Sequence, residues 1–565
     1  MLPSPVPVLT TLARGAGAIA LGALIALFLA FLYRAVFVPL RLARHYAAQG
    51  VRGSAFVPVV GDLPHLAAMR RALVPFAEWF RFWDDAGARS GRVSYFFLGP
   101  ELRLRVADPE LVKGVLRTPE TARAFEKTAL MKNTMGRLLG DGLLLSEGKV
   151  HAAHRGVIAP AFHFARLQGM LPLMADGATR AVTALLAAGE GGAVPVDFHQ
   201  HAAGLTLWIV SFAAFGADLP GLLPAREGEG AAAASSTVVA TASSSDAAAV
   251  YESISFLMTS FVSAVQSLTA FLPRDVQSAV PTFLYPVRAR IDEEIVRLRH
   301  LVGGMLAAQR AVARGSGTPV AGAPAAPADG ALAPADAAPA STLLVDFLLD
   351  STLTAEESLD EALTFVLAGH ETTSQTLAFA VLLLARAPAV RAALRAEVRG
   401  VLGGRAPTTD DLDAKRMPLL AGVLNEALRL YPPAPLVARA AIADVDIPRG
   451  GSAPPLRIAR GTTVVIPIAS IHRDATLWPE PDEFRPERWR DGLTALAHPL
   501  AFLPFSSGVR NCVGQHFATL ESKVILAELV SRCDWDMDAT YVHAPEMAVT
   551  LRPARGMPIR VRAAE

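Results

Sequence analysis

Residues 504–514 read Pro-Phe-Ser-Ser-Gly-Val-Arg-Asn-Cys-Val-Gly, and the run QHFATLESKVILAELVSR that follows has the pattern of a helix. A cysteine just before a helix N-terminus sits where the macrodipole favours an anion, so Cys512 is placed to ionise. Arg510 adds a fixed positive charge beside it. Gly508 and Gly514 permit backbone geometry or a close approach that a Cβ would obstruct. This environment suits a metal-bound or nucleophilic thiolate. The same loop is also compatible with a small buried core residue, the common fate of a free cysteine.

A second group lies upstream, at Ala368-Gly-His-Glu-Thr-Thr373. Gly369 carries no side chain, so a flat ligand could approach the backbone there. Glu371 and Thr372 set an acid beside a hydroxyl, and adjacent hydroxyls can loosen a helical hydrogen-bond ladder. A zinc-protease helix is not read here, because HETTS lacks the second histidine of H-E-x-x-H. Taken alone, a polar patch on an ordinary helix remains open. A third group, Glu426 and Arg429, lies at i, i+3 and can pair on one helix face.

These residues need elements to hold them. Thr354-Ala-Glu-Glu357 is a capping-box signature, and no proline follows until Pro388. The implied helix is about 48 Å long, enough to cross a domain, with the Glu371 segment at its middle. Pro418 and Pro432-Pro433 delimit a shorter helix, MPLLAGVLNEALRLY. Strand-like runs are fewer: RVSYFFLG, LRLRVAD, TTVVIPI and a C-terminal MAVTLRP…PIRVR. The fold class expected is mainly α with small β-sheets (α+β).

The chain has 565 residues, with Lys and Arg at 53 and Asp and Glu at 52. That balance gives no support for an electrostatic nucleic-acid binder. Its two cysteines, Cys512 and Cys533, exclude a disulfide-rich scaffold and a four-cysteine metal site. Cys533 follows the last long helix with no motif and reads as structural. Residues 15–33, GAGAIALGALIALFLAFLY, carry no charge and span about 28 Å as a helix, close to bilayer thickness. Arg34, Arg41 and Arg44 follow, so the C-terminal bulk is expected in the cytosol. A cleaved signal peptide fits less well, for the run is long and no cleavage site follows. The expected organisation is an N-terminal transmembrane anchor at 1–38 and one catalytic domain at 39–565. Low-complexity insertions interrupt it at 226–249 and 315–341. The second reads as a disordered surface loop; the first reads as a loop or an Ala-rich helical turn.

The loop motif resembles the haem-binding loop F-x-x-G-x-R-x-C-x-G of the cytochrome P450 superfamily, matched in full by Phe505, Gly508, Arg510, Cys512 and Gly514. The resemblance covers roughly residues 45–565, apart from the insertions. It implies a cytochrome P450 fold with an N-terminal transmembrane helix, and haem b (iron protoporphyrin IX) ligated through its iron by Cys512. A thiolate ligand favours O–O cleavage. The resemblance further implies that Phe505 packs against the ligand loop and Arg510 pairs with a propionate. Thr372 would hold the activated oxygen and its water by hydrogen bonding, and Glu371 would relay protons inward. Glu426, Arg429 and Arg488, the last in Pro486-Glu-Arg-Trp489, would form a structural triad. Trp489 stands where the family usually has Phe.

Arg439 in LVARA matches a propionate-binding position. Gly148-Lys-Val-His151-Ala-Ala-His154-Arg155 resembles the W-x-x-x-R helix; Arg155 fits, and His151 takes the Trp place, where its hydrogen bonding depends on tautomer. His154 and His163 read as ordinary helix or surface residues. QGVRG at 49–53, PAFHFARLQGMLP at 160–172 and NEALRLYPPAP at 425–435 resemble the eukaryotic membrane-bound branch that acts on sterols, terpenoids, plant hormones and fatty acids. Pro58 and Pro64, around Gly61, match its proline-rich hinge.

The activity so implied is insertion of one oxygen atom from O2 into a lipophilic substrate. No flavin or Walker-type signature is present, so the resemblance implies that NADPH acts through a partner, NADPH–cytochrome P450 reductase, with cytochrome b5 as a further partner. A single-pass location in the endoplasmic reticulum membrane follows. Two rivals are a haem-thiolate isomerase or dehydratase of lipid peroxides and a non-catalytic haem- or lipid-binding protein. A thiol hydrolase using Cys512 is more distant, and predicts activity without haem.

Overall fold

The computed structural model describes residues 21–23, 25–71, 92–216, 219, 222–223, 244–266, 287–315, 344–349, 351–450, 453–492 and 496–565. Helices dominate, with the largest sheet holding six strands.

The centre of the domain is the helix Ala355–Arg386, 32 residues long. Thr354 starts it as expected: its hydroxyl accepts from the Glu357 amide at 3.2 Å, and the Glu357 carboxylate accepts from the Thr354 amide at 2.8 Å. Pro388 opens the next helix, Pro388–Leu402. From Leu377 to Leu384 the long helix is buried on every side, as a core helix surrounded by others must be. Phe198–Phe215 packs along it, and Thr206 Oγ1 donates to the His370 carbonyl at 2.9 Å. The helices Pro418–Leu430 and Gln515–Arg532 fall where proline punctuation and periodicity place them.

The six-stranded sheet runs, in spatial order, Arg52–Gly53, Val93–Leu98, Glu101–Val106, Thr463–Ile466, Val437–Ala441, Phe125–Glu126. Its register matters for the site. Arg439 lies opposite Val464, and Glu126 opposite Ala440. Lys127, one residue past the edge strand, is therefore carried beside Arg439. Cys533–Met537, Pro558–Ala563 and Pro195–Asp197 form a separate sheet, and Pro545–Met547 with Leu551–Pro553 forms a hairpin.

Helix Leu21–Ala47 is, among the described residues, the one helix both long and apolar enough to cross a membrane. Leu21, Ile25, Leu27, Phe28, Leu29 and Phe31 are exposed along it. An apolar surface of that kind needs a cover, and the helix fits a membrane anchor. A π-helical stretch, Tyr33–Phe37, separates this part from Val38–Ala47, whose Leu42 and Tyr46 are buried against the domain. Residues 1–20 of the expected anchor lie outside the described residues.

The insertions differ from one another. Residues 316–341 lie outside the described residues, as do 226–243. At its end the first segment follows the helical of its two readings: Ser244–Gln266 is a helix, and Ala247 and Ala249 are buried in it. Small side chains there let the helix approach its neighbours closely, so alanine was a packing residue rather than a sign of disorder.

Candidate active site

The cysteine loop is held by its own backbone. The Cys512 amide donates to the Phe505 carbonyl at 3.0 Å, closing the loop ahead of Gln515–Arg532. Gly508 adopts φ +77°, and an added Cβ would lie 1.9 Å from the Leu116 carbonyl oxygen. Only glycine combines that conformation with that approach. Phe162 ties the loop to the long helix: its ring meets Phe517 at 6.4 Å and Phe365 at 5.8 Å, both edge-on. A cavity of about 300 Å3 borders Cys512, lined in part by Arg155, Phe162, Asn511, Gln515 and His516.

Burial pushes the Cys512 thiol up from its ordinary value, while the Gly514 amide and the charge of Arg155 pull it down. This corrects the expectation that Arg510 is the cation at the sulfur. Arg510 turns away and pairs with Glu147. Arg155 faces the loop, donating to the Asn511 carbonyl at 2.9 Å and to Asn511 Oδ1 at 2.5 Å.

A group of bases surrounds this loop. His151 is buried and held down to about 4 by burial, then by Arg155, Lys127, His154 and Arg439. Its imidazole is neutral at ordinary pH. Arg439 is buried and depressed to about 10 by burial; its Nη1 donates to its neighbour's carbonyl at 2.9 Å. Arg510 is also depressed to about 10 by burial. Lys127 is pushed well below the usual lysine range by burial, then by Arg439 and Arg510. The sequence reading missed Lys127; it carries no motif, and only the sheet register brings it here. The carboxylates near these bases are Glu147, paired with Arg510, and Glu126, paired with Lys132 at 3.3 Å. Arg510 Nη1 is buried without a partner. Cations converging in excess of carboxylates, with an orphaned guanidinium N–H, suit a ligand bearing two carboxylates. The residues present fit haem, whose propionates have that chemistry.

On the long helix, Ala368 is exposed and Gly369 and Thr372 partly so, although Ala362 to Leu367 and Thr373 to Leu384 are buried. Ala368 and Thr372 lie one turn apart and so share a face. Thr372 Oγ1 donates to the Ala368 carbonyl at 2.9 Å. Glu371 points elsewhere. Its Oε1 accepts from Thr550 Oγ1 at 2.8 Å and Gln375 Nε2 at 3.1 Å. Burial raises its pKa, and Thr550, Arg552 and Gln375 oppose that rise.

Gly369 is a correction. A Cβ there would come 2.7 Å from Val210 Cγ2, so the glycine serves helix–helix packing rather than approach of a flat ligand. His154 is another. It is buried, and its Nδ1 lies 2.7 Å from Glu361 Oε1 of the long helix. His370 bonds through Nδ1 to the Val366 carbonyl at 3.0 Å and is held down to about 4 by burial.

The Glu426 group is assembled as expected. Arg429 Nη2 and Arg488 Nε donate to Glu426 Oε1 at 2.7 and 2.9 Å. Trp489 explains its own presence: the indole N–H donates to Glu426 Oε2 at 2.9 Å, a bond Phe cannot make. Cys533 is buried and its thiol pushed up to about 12 by burial, as an inert structural cysteine.

A family model described as Cytochrome P450 matches residues 334–558. Cytochrome P450 734A4 of Oryza sativa subsp. japonica is 30% identical over 552 residues, covering 93% of this chain and 93% of that protein. The 11-oxo-beta-amyrin 30-oxidase of Glycyrrhiza uralensis is 27% identical, covering 92% of each. Among solved structures, the cytochrome P450DA heme domain superposes with a TM-score of 0.68 at 23% identity, covering 91% of this chain and 98% of that one.

Proposed function

The chain belongs to the cytochrome P450 family and is a monooxygenase of that family, and from that premise we propose that it oxidises a lipophilic sterol, terpenoid or fatty acid, with Cys512 as thiolate ligand of haem iron. The observation that carries the assignment of residues is the convergence of Lys127, Arg155, Arg439 and Arg510 around the Cys512 loop, beyond what Glu147 and Glu126 balance.

The bound haem would supply oxygen activation, with the thiolate pushing electron density towards O–O cleavage. The chain does the rest. Arg155, Arg439, Arg510 and Lys127 would hold the propionates, and neutral His151 would offer an uncharged hydrogen bond among them. Thr372 presents its hydroxyl on the accessible face of the long helix, anchored to the Ala368 carbonyl. With its own proton on that carbonyl, the hydroxyl would accept a hydrogen bond from a water on this face and so orient it. Glu371, whose pKa burial raises, would act as the acid that feeds protons towards this face.

Electrons come from NADPH through a reductase. The cavity beside Cys512 lies between Gly148–Ile158 and Gln515–Arg532, and exposed His163 and His516 border it. It is the proposed docking side for the reductase, with cytochrome b5 as an alternative donor. The anchor, followed by Arg34, Arg41 and Arg44, holds the domain on the cytosolic side of the endoplasmic reticulum in a single pass. The triterpenoid in the name of the Glycyrrhiza relative supports a polycyclic lipophile, which would concentrate in the bilayer beside the domain.

One spectrum tests the assignment. The reduced, CO-bound protein should show the strongly red-shifted Soret band of thiolate-ligated haem, and Cys512→Ala should lose haem or that band. A normal band in the variant would overturn the assignment. Spin-state titration with sterols, β-amyrin and fatty acids then ranks the substrate classes.

A further inference from the structure

Glu371 is reached from two directions. On its own helix, Gln375 Nε2 donates to Oε1 at 3.1 Å. From the C-terminal hairpin, 179 positions away in sequence, Thr550 Oγ1 donates to the same oxygen at 2.8 Å. Gln375 Nε2 also donates to Thr550 Oγ1 at 2.9 Å. The three side chains close a ring. The ring ends on an amide, which does not release protons at ordinary pH, so it fixes the carboxyl's place rather than feeding it.

Thr550 can do this because its own position is fixed. It stands at the turn just before Leu551–Pro553, and its carbonyl accepts from the Ala548 amide at 2.8 Å. The next amide, Leu551, donates to the Pro433 carbonyl at 2.8 Å, tying the hairpin to the chain after Pro418–Leu430. Arg552 clamps the hairpin's two strands through Glu546 Oε1 at 3.0 Å and reaches Thr259 of helix Ser244–Gln266 at 3.0 Å. The charge of Arg552 acts on Glu371 from the hairpin, and Tyr251 feels Glu371 from the facing helix. Two elements far apart in sequence thus meet at one carboxyl oxygen.

We propose that Thr550 is the positioning residue of Glu371: through it the C-terminal hairpin sets the rotamer from which the acid handles protons. The inference rests on the proton role proposed for Glu371, and the test separates the two.

The readout is the infrared C=O stretch of protonated Glu371 in the resting full-length protein, titrated with pH and identified by its loss in Glu371→Gln. Thr550→Val removes a donor to the ionised carboxylate, so the midpoint should move about one unit to higher pH. Proton transfer should also fall behind. With a supplied diflavin reductase and no added lipid, NADPH oxidation should slow by about tenfold, part of the 10²–10⁴ of general acid catalysis, and show a larger solvent deuterium isotope effect. Thr550→Ser keeps the O–H and should restore all three readings. Thr550→Ala repeats the test should valine pack badly in the turn. An unmoved midpoint and isotope effect in both Val and Ala variants, with Glu371→Gln still slow, would overturn the role of Thr550 alone. Unchanged turnover in Glu371→Gln would overturn the reading of the acid itself.

Discussion

Glu426→Ala should cost the protein most of its stability. Glu426 is fully buried, and its two oxygens take N–H donors from Arg429 at 2.9 and 2.7 Å, Arg488 at 2.9 Å, Trp489 at 2.9 Å and the Arg485 amide at 3.0 Å. Arg429 is also fully buried, and its other N–H groups go to the carbonyls of His472, Pro481 and Glu483. Removing the carboxylate leaves Arg429 as a buried cation with no anion. Breaking a buried pair in this way costs about 3–5 kcal/mol, and the orphaned Trp489 indole adds about 1–3 kcal/mol. The sum of about 4–8 kcal/mol is set against a total stability of about 5–15 kcal/mol. Urea unfolding followed by indole fluorescence is the assay, since Trp489 lies 5.4 Å from Trp478 within the group. At a urea slope of about 1–3 kcal/mol per molar, the midpoint should fall by about 1 M or more. Asp446→Ala is the control: its pair with Arg457 is half-exposed and 3.5 Å long, so its loss should cost under about 1 kcal/mol. A midpoint for Glu426→Ala as close to wild type as that of Asp446→Ala would refute the reasoning.

Two further outcomes follow from packing and burial. Gly369→Ala places a methyl 2.7 Å from Val210 Cγ2 and should cost about 1–3 kcal/mol; adding Val210→Ala should recover part of that, and a neutral Gly369→Ala in urea melts would contradict the packing role. Glu521 is fully buried, and burial raises its pKa well above 4.5, with the Thr373 hydroxyl beside it opposing the rise. A carboxyl raised in the folded state gives stability that is whole below its unfolded pKa and is lost as pH rises towards the folded one. Glu521→Gln mimics the protonated form, so its melting temperature relative to wild type should climb with pH above about 4.5; a constant difference would count against this.

The long helix was legible because its signals are local. Thr354 and Glu357 cap it within one turn, and Pro388 stops it. The cysteine loop was legible because its residues lie within one short run, with glycines at fixed offsets. Lys127 was not, because its meeting with Arg439 is decided by a register between strands far apart in the chain. Nor was the pairing of His154 with Glu361, or the true neighbour of Gly369, since each depends on which helix faces which. Arg510 shows the same limit from the other side. Sequence placed it beside Cys512, but side-chain direction gave it to Glu147 and left Arg155 facing the loop.

The sequence by itself determined the kinds of chemistry present: one cysteine before a helix, an acid beside a hydroxyl, and an apolar N-terminal run. These are matters of composition and near spacing, which the chain carries without folding. Tertiary structure decided how those groups are charged and aimed. Burial raised Cys512 and Glu371, gathered cations in excess of carboxylates, and brought Thr550 to the acid. Desolvation and charge proximity act through space, so only the packed chain could set them.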